Sequence, residues 1–142
     1  VLAMPLNKMR EVITAWRLEG IYKKEALITM YLNTVPFADQ TFGIEAAAKR
    51  FFSTTAKKLT AEQAAVIIGM LKATHTYNPR LFPARALERR NVVLTQMAKY
   101  KLLQKTVADS LLQLPLELKY SRVSFHQGLA PYFREYLKSE LM

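Results

Sequence analysis

Apolar side chains recur at helical spacing along almost the whole chain, and several recurrences stop at a helix-breaking residue. Met9, Val12, Ile13 and Trp16 stand at i, i+3, i+4 and i+7, one face of a helix predicted over Lys8–Glu19. A second helix, Tyr22–Asn33, carries Leu27, Met30 and Tyr31 and is closed by Pro36. An Ala-rich third, Ile44–Phe52, ends on two phenylalanines. Thr60 reads as an N-cap with Gln63 as its capping-box partner, opening a helix through Val66, Ile67, Met70 and Leu71. The run THTYNPRLFP, with Pro79 and Pro83, is a loop. A long basic helix follows over Ala84–Tyr100, then a short one over Thr106–Leu112 that stops before Pro115. The closing APYFREYLKSELM reads as helical, apolar and basic. These patterns predict an all-α chain, a helical bundle with loops, and no convincing strand pair.

Composition permits this. The 142 residues suffice for one domain with a core, and with 51% hydrophobic and 23% charged residues the chain is globular, not disordered. Lys plus Arg number 21 against 11 Asp plus Glu, a formal charge of +10 that suggests an anionic partner: nucleic acid, phospholipid headgroups or a phosphorylated substrate. The absence of cysteine excludes disulfides and thiolate metal sites. No apolar run reaches the roughly 18 residues of a membrane span.

Few residues carry chemistry by spacing alone. Lys8 and Glu11, three apart, share a helix face. The plainer reading is a solvated ion pair; the functional one is a cation for a phosphate beside a carboxylate for charge or proton work. Asn33 reads equally as a C-cap or as a polar group presented at the end of its helix. Arg89 and Arg90 read first as solvated surface. His75 and His126 are isolated, so no metal site is expected from them. No Gly-rich phosphate loop and no Ser-x-x-Lys or Gly-x-Ser-x-Gly nucleophile motif occurs.

In order and together, KKEALITMYLNTVPF, FGIEAAAKRFF, LTAEQAAVIIGMLKATHTYNP and ALERRNVVL resemble the family 51 glycosyltransferases, the peptidoglycan polymerases of class A penicillin-binding proteins. The likeness runs over roughly Lys8–Leu112. That family's third motif, Arg-Lys-x-x-Glu, is matched by Lys8 and Glu11, with Asn7 in place of Arg. Its fourth maps onto Lys24, Leu27, Tyr31 and Asn33, with Ala38 where Gly is usual. Its fifth, Arg-Arg-x-x-Val-Leu, is intact as Arg89, Arg90, Val93 and Leu94. The Glu-Asp motif that holds the proposed general base, and the Gly-x-Ser-Thr-Ile-Thr-Gln-Gln motif, are absent from this sequence; both are expected upstream of Val1.

The resemblance implies a partial lysozyme-like fold. It implies that residues 1–115 are the C-terminal part of a glycosyltransferase domain, and that 116–142 begin a linker toward a downstream domain. It implies an enzyme that polymerises lipid II onto a nascent glycan strand, releasing undecaprenyl diphosphate, at the outer face of the bacterial cytoplasmic membrane. Glu11 would be the catalytic residue in hand, and Lys8, Lys24, Tyr31, Asn33, Arg89 and Arg90 would meet substrate. No tightly bound cofactor is implied, although Mg or Mn could accompany the diphosphate. Cell-wall synthesis proteins are conceivable partners; nucleic acid is not an implied one. The rival is a non-enzymatic helical module that binds nucleic acid, or a protein partner, through its basic Arg89–Arg90 helix.

Overall fold

A computed structural model describes residues 3–121, with side chains from Lys8 onward. Its elements in chain order are α1 (Ala3–Ile21), α2 (Lys24–Thr34), β1 (Pro36–Phe37), β2 (Thr41–Phe42), α3 (Ile44–Phe52), a 3₁₀ turn (Ala56–Lys58), α4 (Ala61–Met70), α5 (Pro83–Lys99) and α6 (Lys105–Leu112). The helical reading holds throughout. Each predicted helix has its counterpart, with ends that differ by up to five residues, and the helix predicted near the C-terminus lies outside the described residues.

The expected lack of a strand pair is corrected. β1 and β2 pair antiparallel, Pro36 opposite Phe42 and Phe37 opposite Thr41. Two residues per strand leave no period-2 run to read in the sequence. The turn depends on Asp39 and Gln40, both left-handed at φ 58° and 56°, a region that Asp tolerates better than most non-glycine residues. Gly43 closes the hairpin at φ 80°, where a β-carbon would stand 2.5 Å from the Asn33 carbonyl oxygen. Only glycine fits there without displacing the end of α2.

The core sits under this hairpin. Phe37, Ala38, Ala47, Ala48, Phe51, Phe52, Val66, Ile67 and Met70 are buried together, from β1, the following turn, α3 and α4. The small alanines of α3 let α4 and the hairpin approach, and the paired phenylalanines fill the space beyond. Thr60 and Gln63 form the predicted capping box at the start of α4. α5 packs on α4 and α6 through Ala86, Arg90 and Leu94, spaced four apart along one face. Gly69 allows that approach: a β-carbon there would meet the Arg89 side chain at 3.1 Å.

The segment after α6, expected as the start of a linker, lies on the core in extended form. Leu116, Leu118 and Tyr120 alternate inward. The Lys119 and Ser121 amides donate to the Phe51 and Arg50 carbonyls at 3.0 and 2.8 Å. Those two carbonyls belong to the last turn of α3, where the helix itself supplies them no donor.

α1 and α2 differ from the rest. No residue of α2 is buried, and Met9, Val12, Ile13, Trp16 and Ile21 of α1 are exposed, Trp16 by 77%. The apolar stripe of α1 around Trp16 is open to solvent, while the apolar residues of α4 are largely closed off, Ile68 excepted. Val66, Ile67 and Met70 are buried in the core, because an adjacent face of the largely apolar α4 receives α3 and α5.

Candidate functional site

The predicted site residues fall on three helices. Lys8 and Glu11 lie on α1, where the Lys8 ammonium donates to Glu11 Oε2 at 2.9 Å. Both side chains stand in solvent, 78% and 65% exposed. The pair is thus an open ion pair, available to a ligand at little desolvation cost and of small worth to stability. Lys24 is the first residue of α2 and exposed; Tyr31 and Asn33 lie in its last turns, also exposed. Asn33 is not a C-cap: the helix runs on to Thr34, and Val35 leaves it in an extended conformation with its amide on the Tyr31 carbonyl at 2.8 Å.

The two arginines of α5 separate in role. Arg90 is not solvated surface but 1% exposed. Its Nη2 donates to the Leu114 carbonyl at 2.8 Å and to Leu112 at 3.4 Å, and its Nη1 to Pro115 at 3.3 Å. Asn91 Oδ1 accepts from Nε and Nη2 at 3.0 and 2.9 Å. The guanidinium therefore satisfies the free carbonyls at the end of α6, which would otherwise be orphaned. Burial pulls its pKa below the ordinary arginine value, with Glu62 opposing. Arg89, one residue earlier, is only half-buried and lies against the Tyr77 ring, 5.8 Å from its centroid. Among the described residues no hydrogen bond or ion pair joins either arginine to Lys8, Glu11 or the end of α2.

A polar node that sequence reasoning missed lies at the hairpin tip. Asp39 accepts from Arg80 Nε at 2.8 Å and Nη2 at 3.2 Å, from Asn78 Nδ2 at 2.9 Å and from the Tyr120 hydroxyl at 2.8 Å. Arg50 donates to the Asp39 backbone carbonyl at 3.0 Å. The Arg50 and Arg80 guanidiniums lie over the Tyr120 ring, 5.8 and 5.4 Å from its centroid. The Arg80 hydrogen bonds above all, with help from Tyr120 and Asn78, lower the Asp39 pKa from 3.8 to about 2 against the effect of burial. Burial and the Asp39 carboxylate push the Tyr120 hydroxyl up. The node joins four stretches far apart in sequence, so no local motif announced it. The only hints were Asp39 in a break after Pro36 and Asn78 before a proline.

This arrangement places cations and a carboxylate on open helices and keeps its buried polar groups for structure. The transglycosylase family profile matches residues 4–98, which include every predicted site residue. The chain belongs to the transglycosylase family. This transglycosylase chain is 32% identical to penicillin-binding protein 1A of Haemophilus influenzae over 137 residues, 96% of this chain and 16% of that protein. It is 43% identical to penicillin-binding protein 1A/1B of Bacillus subtilis over 105 residues, 73% of this chain and 11% of that protein. The crystal structure of penicillin-binding protein 1A from Haemophilus influenzae superposes with a TM-score of 0.67 at 33% identity, covering 83% of this chain and 17% of that one. The transglycosylase chain thus spans a small part of the relatives it matches. Among its described residues no helix is long and apolar enough to cross a membrane, and no three His, Cys, Asp or Glu side chains group to hold a metal.

Proposed function

We propose that this chain is the C-terminal part of a peptidoglycan glycosyltransferase domain, and that the complete protein polymerises lipid II into glycan strands at the outer face of the bacterial cytoplasmic membrane. The observation that carries the reading is the open Lys8–Glu11 pair inside the transglycosylase match. In such a reaction the acceptor sugar hydroxyl loses its proton, its oxygen attacks the anomeric carbon of the lipid-linked donor, and a diphosphate leaves. Negative charge grows on the leaving group, so a preorganised cation lowers the barrier. Lys8 suits that role, as a compact ammonium held in place by Glu11 and not buried. Glu11 orients Lys8 and shapes the field on the diphosphate side. The base that takes the proton belongs to a segment outside this sequence. Lys24, Tyr31 and Asn33 then meet substrate from α2, and Arg89 from α5, while Arg90 acts through the structure it holds.

A divalent cation would arrive with the diphosphate. Glu11 offers it one carboxylate already paired with Lys8, and the described residues add no grouped ligands, so no step is assigned to a metal. The nucleic-acid rival is disfavoured by Arg90, whose guanidinium is sealed inside the fold and cannot reach a phosphate backbone.

The test is steady-state polymerisation of lipid II by the complete enzyme, with circular dichroism alongside. Glu11→Gln and Lys8→Ala should each lower turnover about a hundredfold or more while leaving the helical signal intact. Lys8→Arg should recover only part, because a guanidinium fork is not a point charge. Lys57→Ala, on the exposed 3₁₀ turn, should be neutral. Near-normal turnover in Glu11→Gln, or unfolding of both variants, would overturn the assignment.

A further inference from the structure

No residue of α2 is buried, so the helix that presents Tyr31 and Asn33 is not placed by a packed face of its own. Its C-terminal end is tied to the β1–β2 hairpin instead. The Val35 amide donates to the Tyr31 carbonyl at 2.8 Å, and the Val35 carbonyl accepts from the Gly43 amide at 3.0 Å. Gly43 leaves no slack beneath the helix end, since a β-carbon there would stand 2.5 Å from the Asn33 carbonyl oxygen. A shift of the hairpin is therefore felt at Tyr31 and Asn33. The hairpin cannot hold its own shape, because two residues per strand give too little pairing. Its tip also carries two successive non-glycine residues in the left-handed region, Asp39 and Gln40. Such backbone is costly and persists only where the surroundings impose it. The Asp39 carboxylate supplies the constraint. It accepts from Asn78 and Arg80 in the loop before α5 and from Tyr120 in the extended tail. Arg50 of α3 adds a hydrogen bond to the Asp39 carbonyl at 3.0 Å and one to the Thr41 hydroxyl at 3.4 Å. One line of contacts thus runs from the packed end of the molecule through Asp39, the hairpin and Gly43 to the end of α2.

We propose that Asp39 is a positioning residue for the substrate: its node with Arg80, Asn78 and Tyr120 fixes the hairpin, and the hairpin fixes where Tyr31 and Asn33 stand. The inference rests on the reading that those two residues meet substrate. It carries a kinetic signature of its own. With the node broken, α2 occupies its competent placement only part of the time, and apparent affinity falls by that fraction. Saturating substrate draws the helix back into place, so KM rises while kcat is largely kept. General destabilisation removes whole molecules from the active pool and lowers kcat instead.

The experiment measures lipid II polymerisation by the complete enzyme, with hydrogen–deuterium exchange of the peptide that spans residues 31–35 followed by mass spectrometry. Asp39→Asn should raise KM about tenfold, as expected if the competent placement falls to roughly a tenth, with kcat within about twofold of the parent. Exchange at residues 31–35 should quicken in the same variant. Tyr120→Phe removes one donor and should move both readouts in the same direction by less; it decides the matter should Asp39→Asn not fold. Thr60→Ala breaks the capping box of α4, at a comparable cost to the fold, and should leave KM and exchange at residues 31–35 unchanged. Parent-like exchange at residues 31–35 in Asp39→Asn would overturn the proposal, as would an equal rise in KM in Thr60→Ala. Asn33→Ala separates the two readings. If it impairs turnover while Asp39→Asn keeps the parent KM, positioning by Asp39 fails alone. If Asn33→Ala is kinetically silent, the substrate reading of α2 fails and takes the proposal with it.

Discussion

At the residue scale, Asp39 concentrates the most consequence in one side chain. Its carboxylate accepts four hydrogen bonds, and its pKa falls from 3.8 to about 2. A carboxyl whose folded pKa is depressed stabilises the fold fully above its unfolded value and loses that contribution as pH falls through its folded value. The window is therefore between about pH 4 and about pH 2. Two pKa units correspond to roughly 2–3 kcal/mol, and discounting for the partly exposed Arg80 leaves on the order of 1–2 kcal/mol. Asp39→Asn should lose about that much at neutral pH and flatten the acid limb of stability across this window. Urea denaturation at a series of pH values measures both; a variant with the parent's acid dependence would show that Asp39 is not the group responsible. Position 39 was legible in the sequence only as a break after Pro36, since its four donors come from residues 78, 80 and 120.

At the element scale, α5 joins the two parts of the fold through Arg90. The guanidinium closes the end of α6 and the turn after it by donating to the carbonyls of Leu112, Leu114 and Pro115. Arg90→Met fills a similar volume but leaves those carbonyls short of donors, and should cost on the order of 2–4 kcal/mol. Arg90→Lys should cost nearly as much, because one ammonium cannot span the same acceptors. Thermal unfolding followed by circular dichroism reads both. If Arg90→Lys matches the parent, the charge matters and the fork does not. The sequence offered Arg89 and Arg90 as equals. Helical rotation of about 100° per residue turns one into the α5–α6 seam and the other toward Tyr77, and periodicity alone could not say which face α6 would cover.

At the scale of the whole molecule, the core lies at one end, in α3–α5 and the extended tail, while α1 and α2 carry the candidate site on helices with little cover. The apolar stripe of Met9, Val12, Ile13 and Trp16 is exposed along one helix face, the kind of contiguous patch that marks an interaction surface or invites association. The 142-residue chain should therefore self-associate as its concentration rises, and Trp16→Arg should reduce this without altering helical content. Sedimentation velocity over a concentration series tests it; a monodisperse monomer throughout would show the stripe to be harmless. The same chain should show no lipid II polymerisation, because this sequence holds no Glu-Asp motif of the kind expected to carry the general base, and a missing base costs about a hundred- to ten-thousand-fold. Glycan chains formed by the purified chain would place the catalytic centre elsewhere.

The sequence by itself determined the helices, the capping box at Thr60 and the family, because these rest on local spacing and on motifs in order along the chain. The tertiary structure decided the rest: the two-residue hairpin, the Asp39 node, the burial of Arg90 and the docking of Leu116, Leu118 and Tyr120. Each depends on which distant surface comes to rest against a residue. Helical periodicity marks which side of a helix is apolar, but not what covers it. By periodicity α4 was as open to solvent as α1; α3 and α5 close over α4, while no described element covers the stripe of α1.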